Sequence, residues 1–227
     1  KFYGLNPETA WNFGMSFMQG FVLLGKSADV TLDFYRTDFQ NQIVVDLFQS
    51  PQQVSFYDLR GKSFANSFQA EFNIELKKHL NLRTAYKYYD VRADYRSGRF
   101  DRPLQARHRF FANVSFETHI AENGRQWKFD LTWNWLGAQW LPTTVGNPEN
   151  ERFPDFSKPF SLMNMQVTRT FSSVFEVYAG GENIGNYRQP KAILGSSDPF
   201  GPYFDASVVY APVFGQMYYF GLRFKVK

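Results

Sequence analysis

A chain of 227 residues with 26 Phe, 13 Tyr and no Cys has ample apolar material but neither a disulfide framework nor a thiolate metal site. Its mean hydropathy is −0.41, and its apolar runs are no longer than the four residues of Phe21-Val22-Leu23-Leu24; a spanning helix, which needs about 18 consecutive apolar residues, is excluded. The net charge is only +4 and acids alternate with bases, which excludes the basic stripe of a nucleic-acid binder.

In chain order, period-two alternation predicts nine strands. Segment 9–23 sets Trp11, Phe13, Met15 and Phe17 against Ala10, Asn12, Gly14 and Ser16. Segment 27–40 sets Ala28, Val30, Leu32 and Phe34 against Asp29, Thr31, Asp33 and Tyr35. In 63–77, Phe68, Ala70, Phe72, Ile74 and Leu76 oppose Ser67, Gln69, Glu71, Asn73 and Glu75. Leu80, Leu82, Thr84, Tyr86 and Tyr88 form one face of 80–94, and Phe110, Ala112, Val114 and Phe116 one face of 105–118. Trp127, Phe129, Leu131, Trp133 and Trp135 oppose Lys128, Asp130, Thr132 and Asn134 in 126–140. Met163, Met165 and Val167 mark 161–170, and Phe175, Val177 and Ala179 mark 173–183. The last strand, 216–226, has Tyr218, Phe220, Leu222, Phe224 and Val226 on one side.

The connections alternate in length. Short ones fall at 24–26, 78–79, 119–125 and 171–172, and long ones at 41–62, 95–104, 141–160 and 184–215. Up-and-down barrels of the bacterial outer membrane have tight periplasmic turns and long external loops. A soluble half-buried sheet shows the same alternation of polar and apolar residues. Soluble strands, however, average about five or six residues, and these aromatic-rich faces suit lipid flanked by interfacial girdles. The reading is all-β: a transmembrane antiparallel up-and-down barrel. Because such barrels have an even strand number, nine strands with a periplasmic C-terminus are expected to begin partway round one, without a visible signal peptide. Its open edges would be unstable in lipid, so residues before Lys1 are expected to supply the rest of the wall.

The run Val177-Tyr178-Ala179-Gly180-Gly181-Glu182-Asn183-Ile184-Gly185-Asn186-Tyr187 resembles the Y-x-G-x-E-N-L/I-x-N-Y segment of TonB-dependent outer-membrane receptors. Asp198-Pro199-Phe200-Gly201-Pro202-Tyr203-Phe204-Asp205 and Gly221-Leu222-Arg223-Phe224-Lys225-Val226 resemble the last external loop and closing strand of Bacteroidetes-type members, and Arg107-His108-Arg109 with Phe111-Ala112-Asn113 resembles another strand start. The likeness is most specific in roughly the last 50 residues. It implies that residues 1–227 are the C-terminal part of a barrel of about 22 strands closed by a plug domain. It also implies import of a scarce bulky ligand of the iron-siderophore, haem, cobalamin or glycan class, driven by the TonB complex through an N-terminal box. The implied partners are outer-membrane lipid, the preceding strands and plug, and the transported ligand; no cofactor and no catalysis are implied. One departure is the ending, Phe224-Lys225-Val226-Lys227, where such barrels commonly finish on an aromatic residue.

Candidate contacts follow from these placements. Arg92, Arg96, Arg99 and Arg102 in the charge-dense segment 90–102 are candidates for an anionic ligand or lipopolysaccharide phosphates, against the plainer reading of a solvated, self-paired loop. Glu71, Glu75, Arg83, Lys87, Lys128 and Asp130 face the lumen side and are candidates for plug or solute contacts. His79, His108 and His119 are dispersed, which speaks against a metal site. Asp198 and Asp205 lack the spacing of a calcium loop and read as turn formers. Competing readings are a passive porin-like channel, a structural subunit of an outer-membrane complex, and a barrel enzyme based on His108, for which no G-x-S-x-G nucleophile motif is present.

Overall fold

The computed structural model describes residues 4–50 and 53–226. Strands are β1 (Thr9–Leu23), β2 (Lys26–Asn41), β3 (Ile43–Ser50), β4 (Gln53–Asp58), β5 (Ser63–Lys77) and β6 (Leu80–Tyr95). They continue with β7 (Gly98–Asp101), β8 (His108–Glu117), β9 (Gln126–Leu136), β10 (Phe160–Thr170), β11 (Phe175–Glu182) and β12 (Met217–Phe224). Nine of them form one antiparallel meander, β1-β2-β5-β6-β8-β9-β10-β11-β12. These are the nine expected strands, with the fifth starting at His108 rather than 105 and the sixth ending at Leu136 rather than 140.

The register joins the apolar faces into one continuous surface. Phe17 pairs with Leu32, Leu32 with Ala70, Ala70 with Tyr86, and Tyr86 with Phe110. Phe110 pairs with Trp135, Trp133 with Met163, Val167 with Ala179, and Ala179 with Phe220. Among the described residues no second layer covers this surface. Phe220 is 69% exposed and Trp133 37% exposed, the reverse of a soluble core and the arrangement a lipid solvent requires.

Turn chemistry accounts for the tight ends. Leu24 and Gly25 both have positive φ, 50° and 74°, the geometry that matches the twist of a two-residue hairpin. His79 takes the same left-handed conformation, φ 68°, between β5 and β6.

The long connections depart from the expectation of plain loops. Segment 41–62 carries a separate hairpin, β3 paired with β4, and β7 folds back on the end of β6. The largest fully buried side chains among the described residues, Leu141, Leu194 and Asp46, all belong to this loop end. The dry core of the chain is therefore a crown above the sheet. Its centre is aromatic: Phe48 stacks on Trp140 with centroids 4.3 Å apart and meets Tyr95 edge-on at 5.0 Å. Polar anchors hold the rest. Gln139 Nε2 donates to the Tyr210 carbonyl at 3.0 Å, and Gln189 Nε2 to the Val208 carbonyl at 2.8 Å.

Candidate functional site: the polar wall and the crown

The polar face opposite the lipid surface is where a solute passing through the barrel would travel. Glu71 on β5 accepts from Arg83 Nη2 on β6 at 2.8 Å and from Asn73 Nδ2 at 3.1 Å. Lys128 Nζ lies 3.9 Å from Glu117, and Asp130 sits two positions up the same face, in register with Ser115 and Gln166. Lys87 is directly opposite Arg109, and both cations lie over the ring of Tyr89, at 4.9 Å and 5.5 Å. Glu71, Arg83, Lys87, Tyr89 and Arg109, with Gln69, border a concavity of about 620 Å³, while Lys128 and Asp130 lie outside it. Glu75 is placed differently: its carboxylate accepts from the His79 backbone N–H at 3.1 Å, so it braces the turn.

Arg109 and Tyr89 complete this wall and were not among the sequence candidates. The signal for them was parity, since Arg109 opposes the Phe110 face, but only strand register brings Arg109 against Lys87.

In the crown, a cavity of about 310 Å³ is bounded by Val44, Leu47, Tyr95, Arg102 and Leu104. Of the four sequence-predicted arginines, Arg92 and Arg102 border this cavity. Arg96 lies 4.0 Å over the Tyr57 ring. Arg99 Nε donates to Asp94 at 2.6 Å. Arg92 is on β6, not in a loop, and Nε donates to Asp90 at 2.8 Å, with Asp101 3.4 Å away. Arg92 and Arg99 are thus self-paired, as the plainer reading of the segment had it.

Sequence reasoning missed the buried polar knot that holds the β3–β4 hairpin. Asp46, fully buried, accepts from the Tyr57 hydroxyl at 2.6 Å, from the Phe48 N–H at 2.9 Å and from Gln49 at 3.0 Å. Burial first, then the hydrogen bond to Asp46, pushes the Tyr57 hydroxyl above its ordinary pKa.

The histidines do not converge on a metal. His108 Nδ1 shares a hydrogen bond with the Tyr86 hydroxyl at 2.6 Å, while His79 and His119 are neighbours at 6.4 Å between centroids. No metal-ligating cluster occurs among the described residues. Asp205 acts as a turn former, accepting from the Ser207 N–H at 2.7 Å.

A wall with one face for hydrocarbon, one polar face and a packed crown at one end defines an outer-membrane β-barrel. Residues 1–184 match the family described as TonB dependent receptor-like, beta-barrel, and the chain belongs to that family. This is a family of outer-membrane transporters, not enzymes. The match ends inside the Val177–Tyr187 run, so most of it comes from the earlier strands rather than the closing segment.

Solved structures share the fold, among them three receptors. The ferric-catecholate import receptor Fiu of E. coli K12 has a TM-score of 0.58 at 11% identity, over 96% of this chain and 28% of that one. FpvA of P. aeruginosa, bound to a heterologous pyoverdine and iron, has a TM-score of 0.61 at 13% identity, over 97% of this chain and 27% of that one. The ferric enterobactin receptor PfeA of Pseudomonas aeruginosa has a TM-score of 0.61 at 15% identity, over 97% of this chain and 31% of that one. This chain thus spans under a third of the length of each of these receptors. No curated protein matches it.

Proposed function

We propose that this chain forms the C-terminal part of the wall of an energy-coupled outer-membrane transporter, of Bacteroidetes type, that imports a ferric siderophore. The observation that carries this is the continuous nine-strand wall of a TonB-dependent receptor-like barrel topped by an ordered crown. Among the ligand classes open to the family, the similarity to two receptors described as ferric-catecholate and ferric enterobactin receptors, and to one holding a ferric pyoverdine, favours siderophores. The long connections and crown face outward, and the tight turns and C-terminus face the periplasm. The complete barrel has about 22 strands. Glu71, Arg83, Lys87, Lys128, Asp130 and, at the turn end, Glu75 meet the plug or the passing solute, and Arg96 and Arg102 lie nearest to an arriving anionic ligand.

The test is growth of the producing bacterium under iron limitation on ferric catecholate or ferric pyoverdine as sole iron source. Deletion of the gene should abolish growth on one of them, and loss of TonB should do the same. Uptake that persists without TonB would support a passive channel instead.

A further inference from the structure

We propose that Arg169, framed by Trp127 and Phe171, binds the phosphate of a glycerophospholipid in the leaflet at the tight-turn end of the barrel. Arg169 pairs in register with Trp127 on β9 and with Val177 on β11, so its side chain belongs to the lipid face. Its guanidinium lies 4.8 Å over the Trp127 ring and 5.7 Å over the Phe171 ring. Those rings are part of an aromatic band. Phe116 stacks on Phe129 and Phe129 on Trp127; beyond Arg169, Phe171 stacks on Phe175 and Phe175 on Phe224. Trp127 and Phe171 remain 41% and 43% exposed, so the band faces outward. A girdle of this kind sits at headgroup depth.

The other arginines of this face lie at the crown end and are paired: Arg36 with Asp38 at 2.6 Å, and Arg92 with Asp90 at 2.8 Å. The Arg169 guanidinium has no carboxylate partner and no hydrogen bond among the described residues, only its two ring contacts. A cation held rigidly by two ring faces, on an oily surface and at headgroup depth, lacks an anion that the surrounding lipid supplies. The planar guanidinium matches two phosphate oxygens, and its stem can reach along the apolar surface to the interface.

The choice of phospholipid rests on the orientation given under the proposed function, which places the tight turns in the periplasmic leaflet. The test is native mass spectrometry of the full-length receptor in mild detergent, titrated with phosphatidylglycerol or, separately, with lipid A. Arg169→Gln should lower bound phosphatidylglycerol several-fold, and Arg169→Lys should lower it less. Lys225→Gln, which removes an equal charge beyond the polar-side end of β12, should leave it unchanged. Heat-modifiable migration confirms that each variant is folded; if Arg169→Gln is not, Trp127→Leu replaces it and should show the same loss. Undiminished phosphatidylglycerol in a folded Arg169→Gln receptor that still supports growth on a ferric siderophore sinks the lipid site and leaves transport standing. Loss of lipid A instead would overturn both the lipid chosen and the orientation.

Discussion

At Gly180 a methyl group has nowhere to go. A Cβ there would enter the ring of Tyr219 and approach the Met165 carbonyl oxygen to 2.7 Å. Tyr219 lies across the glycine and donates to Gln166 on the next strand but one at 3.0 Å, so the bare backbone lets one side chain tie three strands together. Gly180→Ala is expected to cost about 1–3 kcal/mol through overpacking, read as a lower melting midpoint for heat-modifiable migration of the full-length receptor. Gly221→Ala should cost less, because the three nearest atoms a Cβ would meet all belong to the Tyr178 side chain, which can swing away, and none to backbone. Asn183 works in the opposite way, by what its side chain bonds. With φ 50° it donates to the Tyr187 carbonyl at 2.7 Å and accepts from the Tyr187 N–H at 3.0 Å, closing the start of the 183–216 connection. Asn183→Ala should remove about 1–3 kcal/mol of local stability and appear as faster proteolysis within 184–215.

Among the elements, the β3–β4 hairpin is the piece whose attachment to the crown includes a titratable hydroxyl at a buried carboxylate. Tyr57 bridges it to the rest of the crown: its hydroxyl donates to Asp46 and accepts from the Arg96 N–H at 3.0 Å. Its folded pKa lies above the ordinary value of 10.0. The stabilisation from the neutral hydroxyl is therefore complete below that ordinary value and is lost as pH rises through the higher folded one. A phenolate facing the Asp46 carboxylate should then release the hairpin. Proteolysis at 43–58 is expected to accelerate only in that alkaline window. Tyr57→Phe should lose about 1–3 kcal/mol of hairpin stability at neutral pH and abolish the pH step; a step that survives the substitution would assign it to another group.

For the molecule as a whole, the sheet ends on two strands that have one neighbour each: β1 beside β2, and β12 beside β11. In hydrocarbon each unpaired backbone group costs on the order of several kcal/mol, so closure must come from strands that pair with both edges. The 227 residues expressed alone should aggregate, or migrate as unfolded chain with and without heating. The full-length receptor should show heat-dependent migration. A stable, heat-modifiable species from these residues alone would mean that β1 and β12 find partners in themselves or in further copies.

The strands and their faces were readable from residues because a β-strand's side-chain period is local: Phe72 and Glu71 declare opposite sides without reference to any other strand. The alternation of short and long connections, and with it the up-and-down meander, was readable for the same reason. The hairpin inside 41–62 escaped because Asp46 and Tyr57 gain meaning only when buried against each other and against Arg96. On the wet side, Glu71, Arg83 and Lys87 could be placed on their face from parity alone, but the opposition of Arg109 to Lys87 needed the register. Sequence by itself determined which side of the wall is oily and which is wet, since that depends on pleat and composition alone. Tertiary structure decided which charges neutralise one another, which stay unpaired, and how the loops pack into a crown, because those outcomes depend on contacts between residues far apart in the chain that no local period encodes.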